Sequence, residues 1–497
     1  MKEALRSIPF YAFLLPLFFV LHGFVELWSF HSFADYLPLL LLYTGCTLIV
    51  LLLFRWITGN WRKAALITTF LTGFYLFFGA IFDFLKAHSP FAALYKYSVL
   101  TVSFLILAIL LFIWLRRTTS SLYRITFFLN LLLLIYLGLD LFTAIRKSQT
   151  QTSRPVITAP NAANGIIADS IEKPDIYLLV FDGYSSTYGL KQFFGYDNSE
   201  LDSFLISRKF HNLPASRSNY TATVFSMASQ LNLDYLTWLD ARKFMTKKEY
   251  AQCAAMVYDN EVMRVLKNNG YEIANHSIFD LKDHPSYADQ DWRTIHANIL
   301  AEGTFGSRVL KEFRWMFTVY PALAKLMPFF TYEDQYVTVK QLLNGIVQES
   351  SIKSKQPKFV YGHVLLPHHP YYRDKNGKDR SQEMLNDPNW QDGPDNPYTG
   401  YIKYANTEIR KLVDSIQINT NGKAVIIVES DHGFHYEAPP EKKHNVWYNV
   451  NAVYLPNGQY GQFMDSITNV NEFRIIFNTL FHQQYPMLKD SLLRIYH

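Results

Sequence analysis

Cysteine is nearly absent, with two in 497 residues. That count excludes a disulfide-stapled scaffold and a cysteine zinc ribbon, since both need paired or clustered thiols. Cys46 falls in a hydrophobic run and Cys253 in a region of mixed composition, so no bridge between them is expected. A large domain needs no such staples, so an extracytoplasmic location stays open. Neither sign of charge dominates: 47 Lys and Arg stand against 42 Asp and Glu, a net charge of +5. No basic stripe with interleaved base-stacking aromatics occurs, so nucleic acid is not an expected partner. Internal repeats are also lacking. The first hydrophobic run has no small-residue cleavage site after it, and it reads as an uncleaved anchor instead of a signal peptide.

Apolar length is what the N-terminal part has in abundance. Five hydrophobic segments occupy roughly 8–29, 37–56, 65–85, 97–115 and 123–144. Each is near the ~20 residues that a helix needs to cross the hydrocarbon. Backbone groups in lipid must be satisfied internally, so helices are expected. Lys and Arg set the orientation. Lys2 and Arg6, then Arg55, Arg62 and Lys63, then Arg116, Arg117 and Arg124 mark one side. Residues 30–36 carry no Lys or Arg, and the other opposite loop carries only Lys86 and Lys96. The N-terminus is expected in the cytoplasm, and five crossings put everything after residue 145 outside; Arg146 and Lys147 run against this pattern. His22, Glu26, Asp83 and Asp140 lie in or near the helices, either as headgroup-level side chains or as functional groups.

Three parts follow: a helical anchor over 1–145, a Ser/Thr/Pro/Asn/Ala-containing tether over 146–174, and a globular domain over 175–497. Continuous apolar runs at 176–182, 358–366, 423–430 and 450–456, and a weaker one at 271–277, suit strands buried on both faces. Helical stretches at 223–235, 259–269, 333–350 and 399–417 lie between them. The alternation predicts an α/β domain with a mostly parallel sheet and helices on both faces. Ligands of such sheets bind beyond the carboxyl ends of the strands. Residues 378–397 form a polar loop.

Two of those strand ends carry chemistry. Asp431-His432-Gly433 brings a carboxylate and an imidazole to the end of a buried run. Both suit a divalent metal, although the tripeptide alone is also compatible with a turn. Asp182 closes the first strand and is either a turn acid or a ligand. Thr221, in SNYTATVFSMAS, precedes a helix and reads as a cap or as a nucleophile beside a metal, with Thr223 and Ser218 as rivals. His363, and His368 and His369 between two prolines, follow another apolar run and suit a ligand or phosphate-gripping site, or a solvated loop. His444 in KKHN alone reads as a surface residue.

Together these pieces resemble the alkaline phosphatase-like (sulfatase-like) superfamily over essentially all of 175–497. The look is nearest to its membrane-bound phosphoethanolamine transferases and lipoteichoic acid synthases. PDIYLLVFDGY resembles the opening strand and first metal acid, and SNYTATVFSMAS the nucleophile segment with Thr221 at its centre. HVLLPHHPYY, VESDHG and VNEFRIIFNTLF resemble the substrate-histidine element, the metal pair and the closing helix. The resemblance implies a metal held by Asp182, Thr221, Asp431 and His432, with one or two zinc or manganese ions. It makes Thr221 the nucleophile and gives His368 and His444 roles in holding substrate or protonating the leaving oxygen. It further implies transfer of a phosphoryl-linked group from a membrane phospholipid donor to an envelope lipid or glycan, outside the cell membrane. A phosphate- or sulfate-ester hydrolase is the alternative, and a non-catalytic envelope scaffold a third. The chain departs from the pattern in lacking the Cys/Ser-x-Pro-x-Arg signature of formylglycine sulfatases and the disulfides common in the transferases. Its first acid is Asp, where the named transferase groups usually carry Glu.

Overall fold

The computed structural model describes residues 2–26, 33–150, 167–168, 170–239, 245–286, 300–310, 333–369, 371–380, 396–434 and 445–495. The chain divides into two compact units, one of residues 1–155 and 291–314, the other of 156–290 and 315–497. Most of the expected tether, residues 151–166 and 169, lies outside the described residues.

The first unit is helical: α1 (Lys2–Ser7), α2 (Tyr11–Glu26), α3 (Leu37–Thr58), α4 (Trp61–His88), α5 (Tyr97–Arg117) and α6 (Tyr123–Thr150). Four of these, α3 to α6, are long and apolar enough to cross a membrane. The expected segment at 8–29 is the 16-residue apolar helix α2, which packs through Phe19, Val20 and Phe24 into the same core as Leu39 and Leu76. The short loops are tied together at one end of the unit. Arg62 donates to the Ser7 and Ser121 carbonyls, Lys63 to the Thr118 carbonyl (2.7 Å), and Arg116 to the Ile57 carbonyl (2.8 Å). Residues 300–310, far along the sequence, belong to this unit as well. Gly79 N–H donates to the Gly303 carbonyl (2.8 Å), Phe305 packs on Phe74 and Phe78, and Arg308 pairs with Asp83 (2.7 Å). Gly79 is required by this approach, because a Cβ there would stand 2.5 Å from the Gly303 oxygen. The sequence reading, with its single break near residue 145, did not anticipate this return of the chain.

The second unit holds a six-stranded sheet of β1 (Ile176–Phe181), β2 (His211–Asn212), β3 (Glu272–Ser277), β4 (Lys358–Val364), β5 (Val425–Glu429) and β6 (Asn451–Tyr454), in the order β2-β6-β5-β1-β4-β3. β1, β3, β4 and β5 run parallel; at one edge β6 pairs antiparallel with β5, and the two-residue β2 pairs antiparallel with β6. Helices α7 (Thr187–Phe194), α8 (Ser199–Ser207), α9 (Thr223–Leu231), α10 (Lys247–Tyr258), α11 (Glu261–Asn268), α12 (Glu333–Ser351), α13 (Pro397–Asn419) and α14 (Glu472–Phe481) complete it. The family resemblance led to this alkaline phosphatase-like architecture, and the expected apolar runs are its strands.

Side chains alternate across β1, so both faces must be covered. Tyr177, Leu179 and Phe181 enter a core with α7, α8, α12 and α13, through residues such as Leu190, Leu201, Ile346 and Ile409. The other face meets α14, where Phe473 lies against Phe359 of β4 at 6.0 Å. All six β1 residues are buried, which explains why the run is uniformly apolar. With β5, β1 and β4 adjacent and parallel, their carboxyl ends share one edge.

Candidate metal centre

That shared edge gathers the charged residues. Asp182 follows β1 directly, Ser430-Asp431-His432 follows β5, and His363 is the penultimate residue of β4, in register with Val180. All four of Asp182, His363, Asp431 and His432 are at most 1% exposed. His363 Nε2 lies 3.5 Å from Asp182 Oδ2, and His432 Nε2 lies 3.3 Å from Asp431 Oδ2 and 3.9 Å from Asp182 Oδ1.

The hydroxyl that joins this cluster is that of Thr223. Its Oγ1 is 3.3 Å from Asp182 Oδ2 and 3.3 Å from His432 Nε2. Thr223 opens α9, whose cap residue Ala222 supplies no side-chain acceptor. Of the first-turn amides, that of Phe225 donates to the Ala222 carbonyl (3.1 Å), which leaves those of Thr223 and Val224 to an anion. Thr221, expected as nucleophile and ligand, is engaged elsewhere. Its Oγ1 accepts the Ile495 N–H (2.8 Å) and donates to the Ile495 carbonyl (3.4 Å), beside the Tyr220–Leu493 bridge. The reason is local: Thr221 lies in a bend two residues before the helix and bonds the C-terminal segment, and the two-residue shift to Thr223 reaches the helix mouth. The other rival, Ser218, bonds the Val446 carbonyl at 3.4 Å.

Backbone and hydroxyl contacts hold the loops in place. Asp431 Oδ1 accepts Gly183 N–H (3.1 Å), and Ser226 Oγ donates to the Asp431 carbonyl (2.6 Å). Gly183 has φ +73, a conformation that favours glycine in the turn after Asp182, and a Cβ there would stand in ordinary contact, 3.9 Å, with His368 Cδ2. His368 thus stands beside the turn that follows Asp182. His444 lies outside the described residues.

The electrostatics are those of a cation site. Burial works to raise the Asp182 carboxyl, but His368, His363 and His432 outweigh it and hold it below its ordinary value. For His432, burial disfavours the charged ring, yet Asp431, Asp182 and the Gly433 carbonyl raise it overall. Burial, then His368, pulls His369 down to about 4. Burial pushes the Tyr361 phenol well above its ordinary value. Three buried atoms have no hydrogen-bond partner: Asp182 Oδ1, Asp431 Oδ2 and His363 Nε2. Ligand atoms of Asp182, His363 and Asp431 all lie within 4.8 Å of one another. Two adjacent buried carboxylates with unused oxygens are costly unless a cation neutralises them. Oxygen and imidazole donors in this number fit a divalent ion such as zinc or manganese. The sequence reading named His363 with His368 and His369 in an element suited to a ligand or phosphate-gripping site, and did not group it with Asp182 and Asp431. A histidine inside an otherwise apolar buried strand was the signal available.

A sulfatase family model matches residues 197–485, a span that contains Thr223, His363, His368, Asp431 and His432. No curated protein sequence matches the chain. Among solved structures, the chain is similar to the phosphonate monoester hydrolase of Agrobacterium radiobacter, at 13% identity over 65% of this chain and 76% of that one, with a TM-score of 0.37. It is also similar to the C-terminal periplasmic domain of the phosphoethanolamine transferase EptC from Campylobacter jejuni, at 13% identity over 64% and 93%, with a TM-score of 0.33. The corresponding domain of EcEptC from Escherichia coli, in complex with Zn, gives 15% identity over 67% and 88%, with a TM-score of 0.37.

Proposed function

The chain belongs to the sulfatase family, and on that premise we propose that it is a membrane-anchored, metal-dependent transferase. It moves a phosphoryl-linked group from a phospholipid donor through a threonine intermediate to an envelope lipid or glycan. The observation that carries this reading is the position of the Thr223 hydroxyl, 3.3 Å from both Asp182 and His432 at the open mouth of α9. Thr223 replaces Thr221 in the nucleophile role.

The residues divide the work as follows. Asp182, Asp431 and His432 hold a divalent ion, zinc or manganese, with Thr223 beside it. When bound, such an ion lowers the pKa of the hydroxyl and draws charge from a phosphoryl oxygen. His432 Nδ1 donates to the Gly433 carbonyl at 2.8 Å, which leaves Nε2 with a lone pair directed at the carboxylates. The Thr223 and Val224 amides at the start of α9 receive the phosphoryl oxygens. Thr223 Oγ1 forms the new bond to phosphorus as its O–H bond breaks, the bond from phosphorus to the lipid oxygen breaks, and the proton lost by Thr223 is balanced by the one the diacylglycerol oxygen takes on leaving. His368, with His444, is assigned to substrate holding or to delivery of that proton. An acceptor hydroxyl then displaces Thr223.

Support for the topology comes from the basic residues. Arg62, Lys63 and Arg116 gather at one end of the helical unit with the N-terminus. By the excess of Lys and Arg, that end is cytoplasmic. The catalytic unit then lies in the periplasm or outside the cell. The test is incubation of the full chain, in vesicles, with phospholipid labelled in its headgroup phosphate, followed by mass spectrometry of the protein and its products. The expected result is label on the peptide holding Thr223, then on an acceptor. Release of the label into water alone makes the protein a hydrolase, and label on Thr221 removes the nucleophile assignment.

A further inference from the structure

We infer that Tyr361 and His363 form a positioning pair behind the centre: Tyr361 sets the His363 tautomer, and His363 presents Nε2–H to Asp182 instead of serving as a ligand. The inference rests on the metal-centre reading above. Proximity alone would place His363 among the ligands, since it lies in the same 4.8 Å group as Asp182 and Asp431. The hydrogen bonds of the two histidines say otherwise.

His432 and His363 are wired in opposite senses. The Nδ1 of His432 meets a carbonyl, Gly433 O at 2.8 Å. A carbonyl only accepts, so the proton sits on Nδ1 and Nε2 keeps its lone pair for a cation. The Nδ1 of His363 meets the hydroxyl of Tyr361 at 3.0 Å. Tyr361 is 1% exposed, and among the described residues its hydroxyl has no other hydrogen-bond partner. A buried hydroxyl proton without an acceptor costs about 1–3 kcal/mol. Tyr361 therefore donates, Nδ1 of His363 accepts, and the ring proton of the neutral imidazole is on Nε2. That nitrogen faces Asp182 Oδ2 at 3.5 Å, an electrostatic contact at this length.

The strand geometry makes the arrangement specific. Residues i and i+2 of a strand share a face, so Tyr361 and His363 of β4 stand side by side. The parallel pairing of β4 with β1 sets His363 against Val180, two residues before Asp182. Asp182 Oδ2 is then held by Thr223 Oγ1 and His363, while Oδ1 has no hydrogen-bond partner and stands on the side of His432. One oxygen is fixed by the protein and the other is left for the ion.

The test uses full-length protein loaded with one equivalent of zinc, and X-ray absorption fine structure to count imidazoles on the metal. The pair predicts that His363→Gln leaves the imidazole count of the wild type unchanged. Loss of one imidazole in His363→Gln makes His363 a ligand and overturns the inference, whereas failure of the wild type to bind zinc overturns the metal reading itself. Tyr361→Phe supplies the second measurement. Nitrogen-15 histidine spectra of the wild type should place the His363 proton on Nε2, and Tyr361→Phe should lose that signature. It should also lower kcat about 10-fold or more, the usual scale for outer-shell partners, with the metal retained and KM unchanged. An Nδ1-protonated His363 in the wild type, or unaltered kcat in Tyr361→Phe, contradicts the inference.

Discussion

The helical unit and the catalytic unit differ in where they place buried polar groups: singly between helices in the one, grouped at strand ends in the other. In the helices, Asn130 spends everything it has: Oδ1 accepts Tyr11 N–H at 2.7 Å, and Nδ2 donates to the Leu5 and Ile8 carbonyls. Asp140 is bonded by His22 through Oδ1 alone, at 3.1 Å, while its Oδ2 has no hydrogen-bond partner, and Arg308 pairs with the half-exposed Asp83. In the catalytic unit, the deeply buried Asp182 and Asp431 each keep such an oxygen as well, but the two lie together, in one group with His363. Satisfied polar groups between helices act as structural glue. Two such carboxylates grouped at the ends of parallel strands are what the proposed cation site requires, and strand ends are where ligands of such sheets bind.

Several substitutions would break this contrast or sharpen it. The largest effect is expected for Asp431→Asn, which should remove bound metal and lower turnover by roughly 10³-fold or more, checked by metal analysis beside the lipid-transfer assay. Thr223→Ala should abolish turnover to a similar degree with metal still bound in the folded protein. Thr221→Ala should keep turnover and lose only its contacts to Ile495, about 1 kcal/mol of stability; a dead Thr221→Ala enzyme that is fully folded and metal-loaded would reverse the assignment of the two threonines. In the helical unit, Gly79→Leu forces a side chain against Gly303 and should cost about 1–3 kcal/mol, read as a lower thermal midpoint in detergent. An unchanged midpoint would remove residues 300–310 from that packing.

A smaller effect concerns pH. Glu472 is fully buried, and burial raises its carboxyl in spite of the hydrogen bond from Asn451 (2.9 Å). The folded value exceeds the unfolded one, so the contribution is fully present below the unfolded carboxylate range and is lost as pH rises through the raised value. The thermal midpoint of the catalytic unit should fall between pH 5 and 8 by the equivalent of roughly 1–3 kcal/mol. Glu472→Gln should flatten that slope, and an unchanged slope would remove Glu472 as its cause.

Much of the site was legible because strands buried on both faces stand out as uniformly apolar runs, and Asp182 and Asp431-His432 interrupt two of them at their ends. The choice between Thr221 and Thr223 was not legible in this way. Both lie in one Thr-Ala-Thr step, and a helix start read from sequence is uncertain by one or two residues, which is the distance that separates a tail contact from the metal centre. His363 was visible as a histidine, but its wiring depends on Tyr361 sharing its strand face and on β4 lying beside β1. The return of residues 300–310 to the helical unit was hidden for another reason. AEGTFGSRVL is short and mixed, and its fit depends on the two glycines that let backbones touch, Gly79 and Gly303.

The most direct test of the central claim is anomalous X-ray diffraction from crystals of the full-length protein, collected at the zinc and manganese edges. The account predicts a peak enclosed by Asp182, Asp431 and His432, with Thr223 Oγ1 adjacent to it. A metal-loaded crystal with no peak among those side chains, or with its peak at Thr221, would contradict it.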